Sequence, residues 1–239
     1  MYKILFNLKN FKIMGKKLLL VFSVVISTFL SGLSQNITSY VQKQLDNYFT
    51  SKGIKFDHHT IYEFNVNQQQ KLVYAITELN MMEAQRKDQA FISIFVFEKN
   101  QNKWTETLKK IDYYKDGSFG QFALGEGEIE LISLKNGEFV FYYEQIRDSL
   151  DGSAKAWLYI FGYKKGQLYR SKILIGETNE STQAVAQNPK LYYSWEAEDF
   201  HFEGNTLQNL YLVLNIKEIK GASAQEIKKV KKIKVNFKP

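Results

Sequence analysis

The sequence predicts a mainly β protein: an antiparallel meander of hairpins that forms a curved sheet, a barrel or a sandwich, with one N-terminal α-helix packed on it. Turn dipeptides separate alternating apolar segments, most clearly at Asn136-Gly137, because a type I′ hairpin turn needs a positive φ at both central residues. Eighteen Phe and fifteen Tyr also favour strands, since aromatic side chains suit a pleated, half-buried surface. The clearest helical spacing of apolar residues lies at 37–52.

The chain of 239 residues contains two prolines, and it has no long Gly/Ser tract that would indicate a flexible linker. We therefore expect a single mainly-β domain over residues 35–239.

Residues 1–34 predict a secretory signal peptide. Lys16 and Lys17 precede an apolar run at 18–33, and the small residue Ser34 follows it. A basic segment, an apolar segment and small residues in this order are typical of such peptides. The run is shorter than the roughly 20 residues of a membrane-spanning helix. We expect cleavage after Ser34, with Met14 as an alternative start and an uncleaved anchor as the alternative outcome.

The predicted location is therefore exported: periplasmic, cell-surface or extracellular. Membrane contact is expected only through an uncleaved signal segment. No cysteine is present, which excludes thiol nucleophiles, disulfides, Cys-ligated metal centres and a Cys-linked lipid anchor.

The net charge of +7 comes mostly from the signal segment. Residues 1–34 contain five of the 32 Lys and Arg and none of the 25 Asp and Glu, so residues 35–239 carry 27 basic against 25 acidic groups. Binding to nucleic acid needs a clustered basic surface. A nucleic-acid partner is therefore not expected.

The first half of the chain predicts one helix followed by hairpin strands. Thr38 or Ser39 can cap the helix, and Gly53 lies where a left-handed residue ends one. An extended segment follows at 54–66. The apolar run 71–79 fits a helix or a strand, and we predict a strand. A loop at 80–89, a hairpin of 91–97 with 103–108 and a loop at 112–119 complete this half.

The second half predicts three more hairpins and a closing strand. Residues 128–134 pair with 138–143, 156–163 with 167–175, and 191–202 with 207–219, with a polar loop at 177–189. A capping-box pattern at 223–226 predicts a helical turn. Ile233, Val235 and Phe237 then alternate with polar residues, as in an edge strand whose lysines discourage pairing with other chains.

Asp199, His201 and Glu203 alternate along a predicted strand, so their side chains project from one face. A carboxylate–imidazole–carboxylate row can bind a divalent cation or serve as an acid/base set. The alternative is a solvated polar face opposite Phe200 and Phe202.

A second candidate cation site is formed by Asp148 and Asp151, which precede Gly152. The segment resembles the Asp/Gly calcium loops of integrin-type propeller repeats. It departs from them because it occurs once and lacks their close Asp-x-Asp spacing. The alternative is a plain connection between hairpins.

Aromatic residues supply a third candidate, a sugar- or peptide-binding face. Tyrosines combine a large rigid surface with a polar handle. The alternative is that these rings belong to the core. The residues concerned are the doublets Tyr113, Tyr114, Tyr142, Tyr143, Tyr192 and Tyr193, together with the three Trp.

Two charged segments complete the candidates. Glu126, Glu128 and Glu130 share one strand face, and paired carboxylates serve glycoside hydrolysis when suitably spaced. Residues 217–239 hold eight Lys against two Glu, a basic tail suited to an acidic surface or an anionic envelope polymer. A solvated edge strand is the alternative.

The leading functional hypothesis is an exported, non-catalytic binding or envelope-interaction protein whose partner is an unknown protein, glycan or envelope component. Neither a Gly-x-Ser-x-Gly elbow nor a His-Glu-x-x-His motif occurs. The alternatives are a hydrolase that uses acidic residues on strands and a structural surface module.

Overall fold

The computed structural model describes residues 36–79, 90–116, 129–148, 152–221 and 225–239. A long helix, α1 (Ile37–Ser51), precedes the strands, and a short helix, α2 (Gln183–Gln187), lies between β8 and β9. The strands are β1 (Phe56–Asn67), β2 (Gln70–Leu79), β3 (Ala90–Asn100), β4 (Lys103–Asp116), β5 (Glu130–Ser133), β6 (Phe139–Asp148), β7 (Ala154–Lys164), β8 (Gln167–Thr178), β9 (Tyr193–Glu203), β10 (Tyr211–Lys220) and β11 (Gln225–Lys234).

These strands form two antiparallel sheets in simple meander order. One sheet contains β1 to β4, and the other contains β5 to β11, each strand beside its neighbour in the chain. The predicted meander of hairpins is confirmed. Both sheets are open, with different strands at their two ends. A closed barrel, one of the three predicted arrangements, is therefore wrong.

The predicted hairpin turns have the expected backbone geometry. Asn136 and Gly137 have φ values of 61° and 71°, and the Glu138 N–H donates to the Lys135 carbonyl at 3.1 Å. Lys165 and Gly166 likewise have φ values of 47° and 74°. A positive φ at both central residues is the requirement of a type I′ turn, whose twist matches that of the flanking strands.

Helix α1 packs on the four-stranded sheet, as predicted. Its buried residues Val41, Leu45 and Phe49 recur at helical spacing and join a cluster with Val73 and Phe95 of the sheet. The predicted cap at Thr38 or Ser39 is wrong by a few positions. The side chain of Asn36 caps the helix instead, because it accepts a hydrogen bond from the Ser39 N–H at 3.1 Å.

The second sheet supplies the middle of a layered core. In β6, Phe139 and Phe141 face the four-stranded sheet and join the cluster of Tyr74. Val140 faces the opposite way and joins the cluster of Leu212 on β10. Successive strand residues point to opposite faces, so β6 is buried on both sides. The layers thus run from α1 to β1–β4, then β5–β8, then β9–β11.

This layering requires the seven-stranded sheet to split. Strand β8 pairs with β9 only at Gly176–Thr178, opposite Ser194–Glu196. Before Gly176, the edge of β8 that does not pair with β7 forms one isolated bridge, between Arg170 and Lys238. The described residues therefore leave an opening between β8 and the β9–β11 layer.

Two further segments of the first sheet test the sequence predictions. Residues 71–79 belong to β2, as predicted. The predicted loop at 112–119 is wrong at its start, because β4 continues to Asp116. Asp112 has a φ of 54° and donates its N–H to the Ser93 hydroxyl at 3.2 Å. This bulge lets β4 rejoin β3.

The closing segment also differs from prediction. Gln225 begins β11, so the predicted helical turn at 223–226 is wrong at its end. The predicted strand through Phe237 is wrong as well, since β11 ends at Lys234. Beyond Lys234, the Val235 N–H donates to the Leu210 carbonyl at 3.0 Å, and Lys238 forms an isolated bridge with Arg170. The predicted signal segment 1–34 and the loop 80–89 lie outside the described residues.

Candidate functional site

The opening in the second sheet forms a cleft of about 690 Å³ between β8 and β11. This volume falls within the range of about 300–1,000 Å³ typical of small-molecule sites. The lining residues come from β7, β8, β11 and the last five residues of the chain, and none is acidic: Tyr159, Phe161, Arg170, Ser171, Lys172, Ile173, Leu174, Lys231, Ile233, Lys234, Asn236 and Lys238.

Five cationic side chains surround this cleft. Arg170 and Lys172 extend from β8, Lys231 and Lys234 from β11, and Lys238 from the C-terminal segment. All five are exposed. Among the residues that the structure describes, no carboxylate lies within 4.0 Å of any of their charged groups. The cleft therefore carries a positive charge that the described part of the chain does not neutralise.

Other lysines of β11 are paired with carboxylates. Lys228 lies 3.5 Å from Glu198, Lys229 pairs with Glu218, and Lys232 pairs with Glu203. The partners of Lys228 and Lys232 lie on β9, on the far side of β10 from β11, and do not line the cleft. On one strand, the lysines that line the cleft are thus the ones left without a carboxylate.

Aromatic rings hold one of the cleft cations. The Lys172 ammonium lies 4.1 Å from the ring centroid of Trp157 and 4.8 Å from that of Tyr159. The Tyr159 ring itself stacks on Tyr143 at 5.2 Å. Cation–π contacts at exposed sites contribute only about 0.5–1 kcal/mol. They orient the Lys172 charge without cancelling it.

Backbone hydrogen bonds close one end of the cleft. The N–H of Arg170 donates to the Lys238 carbonyl at 2.8 Å, and the N–H of Lys238 donates back at 2.9 Å. Arg170 and Lys172 are two residues apart on β8, so their side chains share one face and their backbone groups share one edge. The C-terminal segment thus attaches to β8 at Arg170 and leaves the edge at Lys172 open.

A larger cavity of about 810 Å³ lies at the hairpin ends of both sheets. Its polar groups bind one another. Gln70 donates to Glu98 at 3.0 Å and to the Gly137 carbonyl at 2.9 Å, and the Tyr163 hydroxyl donates to Glu98 at 3.1 Å. Because these groups already have partners, this cavity offers a ligand less than the cleft does.

The predicted row of Asp199, His201 and Glu203 lies on the exposed face of β9. The Nε2 atom of His201 is 3.5 Å from Glu203, and Glu203 also binds Lys232. The hydrogen bond from Lys232 lowers the pKa of the Glu203 carboxyl. Among the described residues, no three His, Asp or Glu side chains converge as metal ligands.

The predicted tyrosine face is divided between two layers. Tyr142 is 7% exposed and packs against Phe202 at 5.0 Å, whereas Tyr143 is 1% exposed and faces the four-stranded sheet. Tyr192 and Tyr193 are half-buried at the start of β9. The structure does not bring the doublet Tyr142-Tyr143 together with the doublet Tyr192-Tyr193.

The predicted cation site at Asp148 and Asp151 is only partly described. Asp148 ends β6, with its backbone opposite Ala154, whereas Asp151 lies outside the described residues. Of the predicted Glu row, Glu126 and Glu128 also lie outside them.

Glu130 of that row accepts a hydrogen bond from the Tyr142 hydroxyl. Burial, followed by this hydrogen bond, raises the pKa of Tyr142. Burial and the nearby charge of Glu130 raise the pKa of Glu144. A carboxyl with a raised pKa can serve as a general acid, but these groups line neither the cleft nor the larger cavity.

Sequence reasoning found the lysines of the basic tail but missed Arg170 and Lys172. The sequence does place these two residues two positions apart on a predicted strand, so both charges lie on one strand face. Helix α1, with 15 residues, is the longest described helix, and no described helix has the length and apolar character to span a bilayer. Comparison with family models, curated proteins and solved structures finds no match for this chain.

Proposed function

We propose that this protein is an exported, non-catalytic binding protein whose ligand is an anion held in the cleft between β8 and β11. The observation that supports the proposal is the set of five cationic side chains around one cleft, with no carboxylate of a described residue in reach. Like charges brought together repel, and a bound anion relieves that repulsion.

Neither rival hypothesis gives the five cationic side chains of the cleft a common function. A hydrolase with strand-borne acids would place its chemistry at carboxylates such as Glu130 and Glu144, which do not line the cleft. A structural surface module would need no unneutralised charge in a concavity. Binding of an anion is the role for which all five cations are required together.

The direct test is calorimetric titration with tripolyphosphate at low ionic strength. We expect binding that weakens with added salt and falls at least about tenfold in the double variant Lys231→Gln/Lys234→Gln. The matched control is Lys228→Gln/Lys232→Gln, which removes the same charge from the same strand. Absence of binding, or equal losses in both double variants, would refute a site in the cleft.

The export part of the proposal rests on residues 1–34 and has its own test. N-terminal sequencing of the protein recovered from outside the cytoplasm should begin at Gln35. Recovery of a mature form that retains Lys16 would contradict cleavage after Ser34.

A further inference from the structure

We infer that the ligand of the cleft is a compact phosphorylated amphiphile, with its phosphate among the cations and its apolar part on the wall between them. This inference rests on the proposed function and specifies its ligand. Three features of the cleft support it: the number of cations, the apolar wall, and the closure of both ends.

The cations favour phosphate over a single carboxylate. Five positive groups face one opening, and a carboxylate would bring one negative charge to them. A phosphomonoester carries a charge of about −1.5 to −2 at neutral pH and three strong acceptor oxygens. Arg170 offers a planar fork of donors that matches phosphate oxygens, and the lysines add mobile ammonium groups.

The wall between the cations is apolar. Tyr159, Ile173, Leu174 and Ile233 are half-buried, so each keeps surface in contact with water. These side chains come from three strands and line the same cleft as the cations. A fully hydrated anion would leave this surface wet, whereas an attached alkyl or similar apolar group would remove it from water.

The cleft is closed at both ends along β8. The Arg170–Lys238 bridge ends it on one side, and pairing of Gly176 with Glu196 ends it on the other. The five intervening residues, 171–175, span roughly 17 Å at the usual strand rise. A long polymer cannot follow the strand past these closures, so the site suits a compact molecule.

The experiment compares three ligands by calorimetric titration: inorganic phosphate, octyl phosphate and octyl glucoside, each below its micellar concentration. We expect octyl phosphate to bind at least about tenfold more tightly than phosphate, because burial of the alkyl chain adds to the charge interaction. Octyl glucoside should not bind measurably. Equal affinity of the two phosphates, or equal affinity of the two octyl compounds, would overturn the inference.

A pair of variants tests the apolar wall. Ile233→Thr should weaken octyl phosphate several-fold and leave tripolyphosphate binding unchanged. The matched control is Ile227→Thr on the same strand, at a side chain that is 43% exposed and outside the cleft. If Ile233→Thr lowers the affinity for both ligands equally, or the control lowers it as much, the apolar wall does not contact the ligand.

A third arm separates a bound monomer from adsorption to a charged membrane. Phosphatidylcholine vesicles with and without phosphatidic acid are sedimented with the protein. If Lys231→Gln/Lys234→Gln still binds the charged vesicles, the protein adsorbs to the membrane phosphates through another surface. This result would overturn the assignment of the ligand to the cleft. Failure with all alkyl ligands but cleft-dependent binding of tripolyphosphate would refute this inference alone and leave the proposed function standing.

Discussion

At the scale of single residues, the position of a lysine on β11 decides whether its charge is neutralised. Lys232 reaches Glu203 across the exposed face of the sheet, whereas its neighbours Lys231 and Lys234 line the cleft. Surface ion pairs contribute little to stability, commonly between 0 and about 1 kcal/mol. The pairing therefore matters less for folding than for where free positive charge remains.

His59 is the described residue whose protonation most directly opposes folding. Its side chain is fully buried, 0% exposed, and its ring accepts or donates hydrogen bonds with Thr77 at 2.7 Å and Asp46 at 3.2 Å. Its ring also stacks on Phe56 at 4.3 Å. Burial lowers the pKa of His59 below the ordinary value of 6.5, and the charge of Asp46 opposes this shift without cancelling it.

The free energy of unfolding should therefore fall as the pH is lowered from about 6.5 toward the reduced pKa of His59. In this window the unfolded chain binds a proton that the folded protein binds less readily, so acid favours unfolding. Urea titrations at pH 7 and pH 5 measure the effect, and His59→Gln should reduce the difference between them. The control is His201→Gln, at an exposed histidine on β9 that does not contact His59, which should leave the contribution of His59 in place.

At the scale of elements, α1 depends on its apolar stripe and on the sheet beneath it. Ile37, Val41, Leu45 and Phe49 are its buried residues, and they cover the face of the four-stranded sheet opposite to β5–β8. An isolated helix of 15 residues is marginal in water. Its stability therefore comes mostly from this packing.

Leu45→Ala should lower the free energy of unfolding by about 2–5 kcal/mol, because it removes a fully buried side chain and leaves a cavity. Urea denaturation followed by circular dichroism gives the value. Lys43→Ala, on the exposed face of the same helix, should change it by no more than about 0.5 kcal/mol. Equal effects of the two substitutions would show that α1 does not depend on contact with the sheet.

At the scale of the whole molecule, the layers share side chains and should unfold together. Strand β6 contributes Phe141 to the core with the four-stranded sheet and Val140 to the core with β9–β11. Loss of either neighbouring layer would expose one face of β6. This supports the proposal of a single domain over residues 35–239.

The three tryptophans test this cooperativity, because each lies in a different layer: Trp104 on β4, Trp157 on β7 and Trp195 on β9. Three variants that each retain one of them should show the same fluorescence midpoint in urea, once each midpoint is referred to that variant's circular dichroism midpoint. Separated midpoints would mean that the layers unfold as independent units.

The sequence alone determined the local features of this protein. The type I′ turns at Asn136-Gly137 and Lys165-Gly166, the stripe of α1 and the antiparallel meander follow from conformational preferences and periodicities that act over a few residues. It also indicated a basic tail, although it predicted an edge strand through Phe237 where β11 instead ends at Lys234.

Only the tertiary structure decided the cleft. Its two sides, β8 and the segment from β11 to the C-terminus, are far apart in the chain and meet through reciprocal backbone hydrogen bonds between Arg170 and Lys238. The opening exists because β8 pairs with β9 over three residues and then diverges to pack a second layer. Which lysines keep their charge free depends on carboxylates supplied by other strands. Strand periodicity fixes the face on which a side chain lies, but long-range packing decides what it meets there.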